Sequence, residues 1–209
     1  LDFFGPQHWW PGETPFEIAL GAVLTQNTSW SNVERAIANL KAARLLDANR
    51  LHTLDMEQLE TLIRPAGYFR VKAKRLRNFT TWLCESYDGD MRNLDPVATG
   101  RLREELLTIS GIGPETADSI LLYALNRPIF VVDTYTARVM VRHGLIAPGG
   151  LDYHQLQDLF TSNLEPDAAL FNEFHALLVM TGKDYCKPRP KCDPCPLAPL
   201  PHRIDVECS

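Results

Sequence analysis

The sequence lacks several features that would place it in a special structural class. No apolar run approaches the roughly 18 residues needed to cross a membrane, and no stretch has the pattern of a signal peptide. Low-complexity segments, internal repeats and the alternating pattern that predicts β-strands are all missing. These absences argue against a membrane protein, a repeat protein and an all-β fold. We therefore expect a cytoplasmic protein with no membrane partner.

Excess positive charge is also missing. The 209 residues include 21 lysines and arginines against 26 aspartates and glutamates, so the formal net charge is −5. This balance does not indicate a nucleic-acid-binding protein, although the local distribution of charge matters more than its sum. Five basic residues closely follow Gly67-Tyr68-Phe69, namely Arg70, Lys72, Lys74, Arg75 and Arg77. They form either the phosphate-facing start of a helix or a solvated helix face.

Helical periodicity, by contrast, covers almost the whole chain. Apolar residues recur at helical spacing in 15–27, 30–45, 55–64, 70–87, 97–109, 114–126, 132–143, 152–163 and 167–182. Aspartate, proline and glycine mark boundaries, as at Asp55, Pro65 and Asp88. A chain of this length can bury a core as one domain or as two small lobes. The sequence therefore predicts an all-α fold.

The most informative motif is a pair of glycines between two helical segments, in Ile109-Ser110-Gly111-Ile112-Gly113-Pro114-Glu115-Thr116-Ala117. The glycines permit a tight turn with positive φ and remove side chains that would hold the backbone away from a ligand. Their amides, with the positive end of the next helix, suit a phosphate. An ordinary glycine-capped helical hairpin is the alternative. A lone carboxylate, Asp133, follows after an apolar stretch.

Cysteines are few, but three of them lie close together on a proline-rich loop. These are Cys186, Cys192 and Cys195, and the remaining two are Cys84 and Cys208. In a cytosolic protein such a group indicates a metal site more than disulfide bonds. Cys84 lies on an amphipathic segment, where we expect a buried small apolar residue.

Together these residues resemble the helix-hairpin-helix DNA glycosylase superfamily that includes endonuclease III, over about residues 15–196. The resemblance implies two helical lobes with a DNA cleft between them. A six-helix barrel, 24–130, would end in the hairpin, and residues 1–23 and 131–209 would form the second lobe with the Cys-rich loop 186–208. It also implies a nucleoid-associated monomer that binds double-stranded DNA and flips a damaged base out of the stack.

The resemblance assigns the chemistry to Asp133, whose charge would stabilise an oxocarbenium ion and help to orient water. A helix N-cap at Asp133 is compatible with that role. Bifunctional members carry a lysine in a Gly-x-Gly-x-Lys pattern, and its amine forms a Schiff base that leads to strand cleavage. This chain has Glu115 there, so we expect a monofunctional enzyme that leaves an abasic site. Glu115 is a pocket residue or a favourable acid in a first helical turn. Lys183 is a further candidate near the substrate.

Contacts with DNA are implied for five positions. Gly111, Gly113 and Thr116 of the hairpin would contact the backbone. Gln26 aligns with the residue that fills the gap left by the flipped nucleotide, and a plain polar residue at a helix end is the alternative. Tyr68 aligns with the wedge that intercalates opposite the lesion, and core packing is the alternative.

The endonuclease III type carries a 4Fe-4S cluster held by four cysteines in a closely similar pattern. This sequence departs from the pattern, because Pro201 and His202 occupy the place expected for the last ligand. Cys208 is the expected fourth ligand after Cys186, Cys192 and Cys195, and His202 is a weaker candidate. A zinc ion bound by four cysteines and the absence of any metal are the alternatives.

The run His8-Trp9-Trp10-Pro11, the stretch 20–28 and the missing lysine resemble the bacterial 3-methyladenine DNA glycosylases of this branch. Alkylated purines are cationic, so tryptophan faces attract them by about 1–2 kcal/mol when desolvated. Trp9, Trp10 and Trp30 are the stacking candidates, with packing between lobes as the alternative. Other open functions are removal of mismatched thymine, uracil or adenine, an endonuclease III-like lyase, and a catalytically idle DNA-binding module.

Overall fold

The computed structural model describes residues 1–206, and all regular structure within them is helical. The α-helices are α1 Pro15–Leu24, α2 Trp30–Ala42, α3 Ala48–Thr53, α4 Met56–Ile63, α5 Phe69–Tyr87, α6 Thr99–Thr108, α7 Pro114–Ser119, α8 Thr134–Arg142, α9 Tyr153–Thr161 and α10 Ala168–Asp184. Turns of 3₁₀ helix cover Arg64–Ala66 and Met91–Leu94, and α7 continues as a π-helical turn, Ile120–Ala124. The predicted all-α class is confirmed. Across these described residues, no helix has both the length and the apolar character that a membrane crossing requires.

Side-chain caps explain why many of these helices begin where they do. A side-chain oxygen accepts a hydrogen bond from a first-turn amide at Thr14, Asp47, Asp55, Asp133, Asp152 and Asp167. Asp152 and Gln155 form a reciprocal capping box. The sequence prediction missed α3, because six residues are too few to display a helical period.

The backbone divides into two compact units. The contiguous unit is Trp10–Arg127, and the terminal unit is Leu1–Trp9 together with the described chain from Pro128 onward. The sequence assigned residues 10–23 to the second lobe, whereas the structure includes them in the contiguous unit. The reason is packing, since α1 lies against α2, α5 and the π-helical turn of that unit.

The contiguous unit is built around α1 and α5. Fully buried side chains of α1, α2 and α5 form its core, among them Leu20, Leu40 and Phe79. A buried ion pair holds α6 to α7, because Arg103 donates to the two carboxylate oxygens of Asp118 at 2.7 and 3.1 Å. Asp118 has no exposed surface, so this bidentate pair fixes the helix that follows the hairpin.

The terminal unit is built around α8 and α10, which pack closely. A Cβ atom at Gly182 of α10 would lie 2.6 Å from the Cβ of Tyr135 in α8, so glycine permits the approach. The ring of Phe130 packs among aromatic rings of α9 and α10. The N-terminal segment joins this unit through the amide of Gln7, which donates to both carboxylate oxygens of Glu173 at 3.0 and 3.1 Å.

Candidate functional site

Asp133 caps α8 with one oxygen and faces a histidine with the other. Its Oδ1 accepts hydrogen bonds from the amide of Thr136 at 2.7 Å and from the hydroxyl of Thr136 at 2.8 Å. Its Oδ2 lies 3.6 Å from Nε2 of His175 in α10. The side chain of Asp133 is 12% exposed. The N-cap role is therefore confirmed, and it uses only Oδ1 of the two carboxylate oxygens.

The surroundings of Asp133 keep this carboxylate ionised. Burial raises its pKa, but the adjacent imidazole of His175, together with two hydrogen bonds from Thr136, outweighs that effect. The pKa of Asp133 therefore lies below its ordinary value. A largely buried carboxylate that stays charged can stabilise a nearby cation or orient a water molecule.

His175 was not predicted from the sequence. It is 4% exposed and lies on an otherwise apolar face of α10. A single histidine in an apolar helix gives no motif, and its relation to Asp133 arises only from the packing of α8 against α10. The one signal available in the sequence is the presence of a titratable residue where the helical period predicts an apolar one.

The glycine hairpin matches the prediction only in part. Gly111 has φ of +96°, and a Cβ atom there would overlap the side chain of Arg75, so both backbone and packing require glycine. Gly113 has φ of −94° and ψ of −179°, with open space around it. The prediction of positive φ is wrong for Gly113, because that residue is the extended N-cap of α7 and precedes Pro114.

Gln26 lies against the hairpin. Its Nε2 donates to the carbonyl of Gly111 at 3.1 Å and to Oγ1 of Thr116 at 2.9 Å, while its Oε1 accepts from the guanidinium of Arg75. Because a backbone carbonyl only accepts and a guanidinium only donates, the orientation of the amide is determined. The structure thus brings together Gln26, Gly111 and Thr116, three residues predicted to contact DNA.

Tyr68 protrudes from the contiguous unit. Its side chain is 72% exposed, so the alternative of core packing is wrong for Tyr68. Its backbone is left-handed, with φ of +45° and ψ of +31°, and Gly67 before it has φ of +68°. A bulky residue rarely adopts this conformation. Such strain is concentrated at functional sites, which makes Tyr68 a candidate for contact with a ligand.

Lys72 differs from the rest of the predicted basic cluster because it is only 1% exposed. Its ammonium donates to the carbonyls of Leu24 at 2.8 Å and Ala66 at 2.7 Å. Burial, and to a lesser extent the charge of Arg75, lower the pKa of Lys72 to about 8. Both interpretations of the cluster, as a phosphate-facing or a solvated surface, are therefore wrong for this residue.

A groove with basic walls adjoins the hairpin. It is lined by Met56, Val71, Lys74, Arg75, Arg77, Asn78, Ser110 and Gly111. Asn78 donates to the carbonyl of Ser110 at 2.9 Å, so the first half of α5 is tied to the hairpin. Cationic side chains along a groove are the usual means of following a phosphate backbone.

Two of the three candidate tryptophans are in contact with each other. The rings of Trp10 and Trp30 meet edge to face, with centroids 5.0 Å apart and planes at 88°. Trp10 also lies over Tyr123 at 4.9 Å. Perpendicular rings in contact cannot enclose a base between them, so any stacking must use a free face. Trp9 belongs to the terminal unit and is half-buried.

A second groove of the contiguous unit runs beside Trp30. Its lining includes Glu13, Glu17, Glu34 and Lys41. Lys41 lies 2.9 Å from a carboxylate oxygen of both Glu13 and Glu17. The groove therefore combines an indole ring with more negative than positive side chains.

Glu115 and Lys183 are both exposed. Glu115 lies in the first turn of α7, which fits a favourable acid at a helix N-terminus. Lys183 lies in the last turn of α10.

The Cys-rich loop brings three thiols to one cavity. Cys186, Cys192 and Cys195 line it together with His202 and Arg142. Within residues 1–206, no group of three or more histidine, cysteine, aspartate or glutamate side chains is arranged to hold a metal ion. The described cysteines are free thiols. Cys208, the predicted fourth ligand, lies outside the described residues.

Two arginines of α8 hold the start of this loop. Arg142 donates to Sγ of Cys186 at 3.3 Å and to the carbonyl of Lys187 at 2.5 Å, and Arg138 donates to the carbonyl of Cys186 at 2.5 Å. The helix that begins at Asp133 is therefore tied to the loop. Cys84, in α5, is half-buried and not fully buried as predicted, and burial raises the pKa of its thiol.

Residues 20–166 match the family described as HhH-GPD superfamily base excision DNA repair protein. A Methanocaldococcus jannaschii protein, provisionally named a DNA repair glycosylase, is 48% identical over 94% of this chain and 90% of its own. The crystal structure of H. pylori 3-methyladenine DNA glycosylase bound to 1,N6-ethenoadenine aligns with a TM-score of 0.72 at 31% identity, over 84% of this chain and 87% of that chain. A trapped endonuclease III–DNA covalent intermediate aligns with a TM-score of 0.80, over 97% and 90% of the two chains. Its identity of 22% supports similarity of fold alone.

Proposed function

This chain belongs to the HhH-GPD superfamily of base excision DNA repair proteins, and we propose that it removes alkylated purines, 3-methyladenine above all, from double-stranded DNA. It flips the damaged nucleotide out of the stack, hydrolyses the N-glycosidic bond and leaves an abasic site. The observation that carries this proposal is the largely buried carboxylate of Asp133, with Oδ2 facing His175, in a chain whose hairpin has Glu115 in place of a lysine.

Asp133 supplies the charge that the reaction needs. As the glycosidic bond breaks, positive charge develops on the sugar, and a carboxylate that remains ionised lowers the energy of that state. The same group can orient or deprotonate the attacking water. Because Thr136 already occupies Oδ1, the oxygen proposed to act is Oδ2, which His175 holds in its charged form.

A cationic base fits the aromatic and acidic residues of the contiguous unit. N-alkylated purines carry positive charge, so they are attracted to an indole face such as that of Trp30 and to carboxylates. Glu34 lines the groove beside Trp30, and Glu13 and Glu17 of the same groove share the single cation of Lys41. An H. pylori relative that is 31% identical acts on 3-methyladenine, which agrees with this substrate class. Alkylation also weakens the glycosidic bond, so a single carboxylate suffices.

Glu115 supports hydrolysis without strand cleavage. A carboxylate cannot form the imine on which a lyase depends. Neither the hydrolytic reaction nor the abasic product requires an amine, so sodium borohydride is expected to trap no covalent complex. Trapping of wild-type protein on damaged DNA, with loss of trapping in Lys183→Ala, would contradict the hydrolytic assignment.

The cysteine loop suits a thiolate-ligated group, and we propose a 4Fe-4S cluster there. Three thiols line one cavity, and Arg142 donates to Sγ of Cys186. Cys186, Cys192, Cys195 and Cys208 are the proposed ligands. When bound, a cluster holds the loop in a fixed shape. Visible absorption and analysis of iron and sulfide in purified protein test this, with zinc in their place as the contrary result.

The decisive experiment is base release from methylated duplex DNA, resolved by chromatography, with Asp133→Asn run in parallel. Release of 3-methyladenine by wild type, absent in the variant and without strand nicking, supports the proposal. Release of thymine, uracil or adenine from mismatched duplexes, with no release of alkylated bases, would overturn the substrate class. Tight binding of damaged duplex with no release of any base would indicate a binding module.

A further inference from the structure

A single buried ammonium joins two separate loops of the contiguous unit. Lys72 donates to the carbonyl of Leu24, the last residue of α1, and to the carbonyl of Ala66, the last residue of a 3₁₀ turn. Terminal carbonyls of a helix lack partners within it and must be satisfied from elsewhere. Lys72 therefore satisfies the terminal carbonyls of two helical segments that are distant in sequence.

Each of these carbonyls stands two residues before a side chain proposed to enter the duplex. Gln26 follows Leu24, and Tyr68 follows Ala66. The backbone amide of Lys72 also donates to the carbonyl of Tyr68 at 3.0 Å. The loop is consequently held at Ala66 by the ammonium of Lys72 and at Tyr68 by a backbone hydrogen bond at the start of α5.

The next turn of α5 completes the arrangement. Arg75 lies three residues after Lys72, on the same helix face, and its guanidinium donates to Oε1 of Gln26. The stem of Arg75 also covers Gly111 of the hairpin. The start of α5 thus fixes the backbone before Gln26, the amide of Gln26 and the backbone at Tyr68.

A buried lysine has both a cost and a benefit for stability. Lysine is almost never fully buried, because removing its charge from water is costly even with hydrogen bonds. An apolar side chain of similar length would avoid that cost but would leave the carbonyls of Leu24 and Ala66 without this donor. What the apolar side chain could not do is tie both carbonyls to one point.

We propose that Lys72 is a positioning residue, whose ammonium fixes Gln26 and Tyr68 relative to each other so that both enter the duplex together. This rests on the proposed function, in which Gln26 fills the gap and Tyr68 acts as the wedge. Lys72 itself touches neither DNA nor substrate. A misplacement of about 1 Å at such a site can cost on the order of 100-fold in rate.

The test uses a duplex with a tetrahydrofuran abasic analogue opposite 2-aminopurine, whose fluorescence reports stacking of the orphaned base. Amplitudes at saturating protein are compared for wild type, Lys72→Met, Lys72→Arg, Gln26→Ala, Tyr68→Ala and the double variants with Lys72→Met. Leu83→Ala, in the buried face of α5 three turns further on, is the control for lost thermal stability. The kcat/KM for release of 3-methyladenine is measured on the same proteins.

Lys72→Met is expected to lose most of the fluorescence change and about 10- to 100-fold in kcat/KM, with partial recovery in Lys72→Arg. Adding Gln26→Ala or Tyr68→Ala should cause little further loss, because the residues act as one unit. Equal behaviour of Lys72→Met and Leu83→Ala, or fully independent losses in the double variants, would overturn the proposal. If Gln26→Ala and Tyr68→Ala keep the wild-type fluorescence change, neither residue enters the duplex as proposed. The positioning role of Lys72 is then contradicted as well.

Discussion

His175 and Asp133 face each other across the contact between α10 and α8, with Nε2 3.6 Å from Oδ2. The opposite oxygen of the same carboxylate caps α8 through Thr136. One side chain therefore carries two separable duties, because the cap needs only an acceptor whereas the proposed chemistry needs a negative charge. Substitutions that keep the acceptor and remove the charge can distinguish them.

Asp133→Asn should abolish catalysis and spare the fold. Asparagine caps a helix about as well as aspartate, so the free energy of unfolding should change by less than about 1 kcal/mol. Base release should fall by about 10²- to 10⁴-fold, since the ionised group is lost. Asp152→Asn, the same change at the N-cap of α9, is the matched control and should leave base release unaltered. If both variants lost base release to a similar extent, the loss would reflect a weakened helix cap and not the missing charge at Asp133.

Removal of His175 should change the pH dependence of catalysis. With His175→Phe, burial is no longer outweighed by the imidazole, so the pKa of Asp133 should rise. The acidic limb of kcat/KM then moves to higher pH, and the loss relative to wild type is largest in acid and vanishes in alkali. His175→Gln keeps an N–H donor without charge and should lie between the two. An unshifted acidic limb in His175→Phe would separate His175 from the reaction.

Tyr68→Gly should separate stability from activity. Glycine adopts φ of +45° freely, whereas a tyrosine there costs roughly 1–2 kcal/mol. Because glycine also gains entropy in the unfolded chain, stability should be unchanged or raised by up to about 1 kcal/mol. Base release should nevertheless decline, since the proposed wedge is gone. Asp88→Gly, with φ of +55° at the end of α5, is the control in which stability behaves alike and activity persists.

Lys72 should make the protein more stable as the pH rises above about 8. The pKa of its ammonium is about 8 in the folded chain and near 10.5 when unfolded, so the unfolded chain binds more protons between these values. The free energy of unfolding therefore increases with pH over that window. Urea titrations of wild type and Lys72→Met should diverge in this direction, while Lys74→Met, an exposed neighbour, keeps the wild-type slope. Parallel pH dependence of wild type and Lys72→Met would show that the buried ammonium does not titrate as stated.

The parts of the site that the sequence predicts are those whose residues lie close together along the chain. The hairpin, the aspartate behind it and the glutamate in place of a lysine occur within one short stretch, so spacing alone identifies them. The helices followed from a 3.6-residue period, and α3 was missed because it is shorter than two full turns.

Residues whose roles depend on distant partners could not be predicted. Lys72 looks like its basic neighbours in sequence, and only the carbonyls of Leu24 and Ala66 distinguish it. The role of His175 depends on its contact with Asp133, which begins another helix. Gly113 shares a motif with Gly111, yet the proline that follows it and the N-cap position set an extended backbone instead.

The terminal unit is assembled from both ends of the described chain, so its two segments are synthesised at different times. A ribosome releases Gln7 long before Glu173, the carboxylate that receives its amide, has been translated. Residues 10–127, by comparison, emerge as one uninterrupted stretch. Because domains generally fold as units during translation, residues 1–9 cannot complete their packing until α10 has been synthesised. Asp133, whose imidazole partner lies on that same helix, therefore gains its final surroundings only after α10 has been translated.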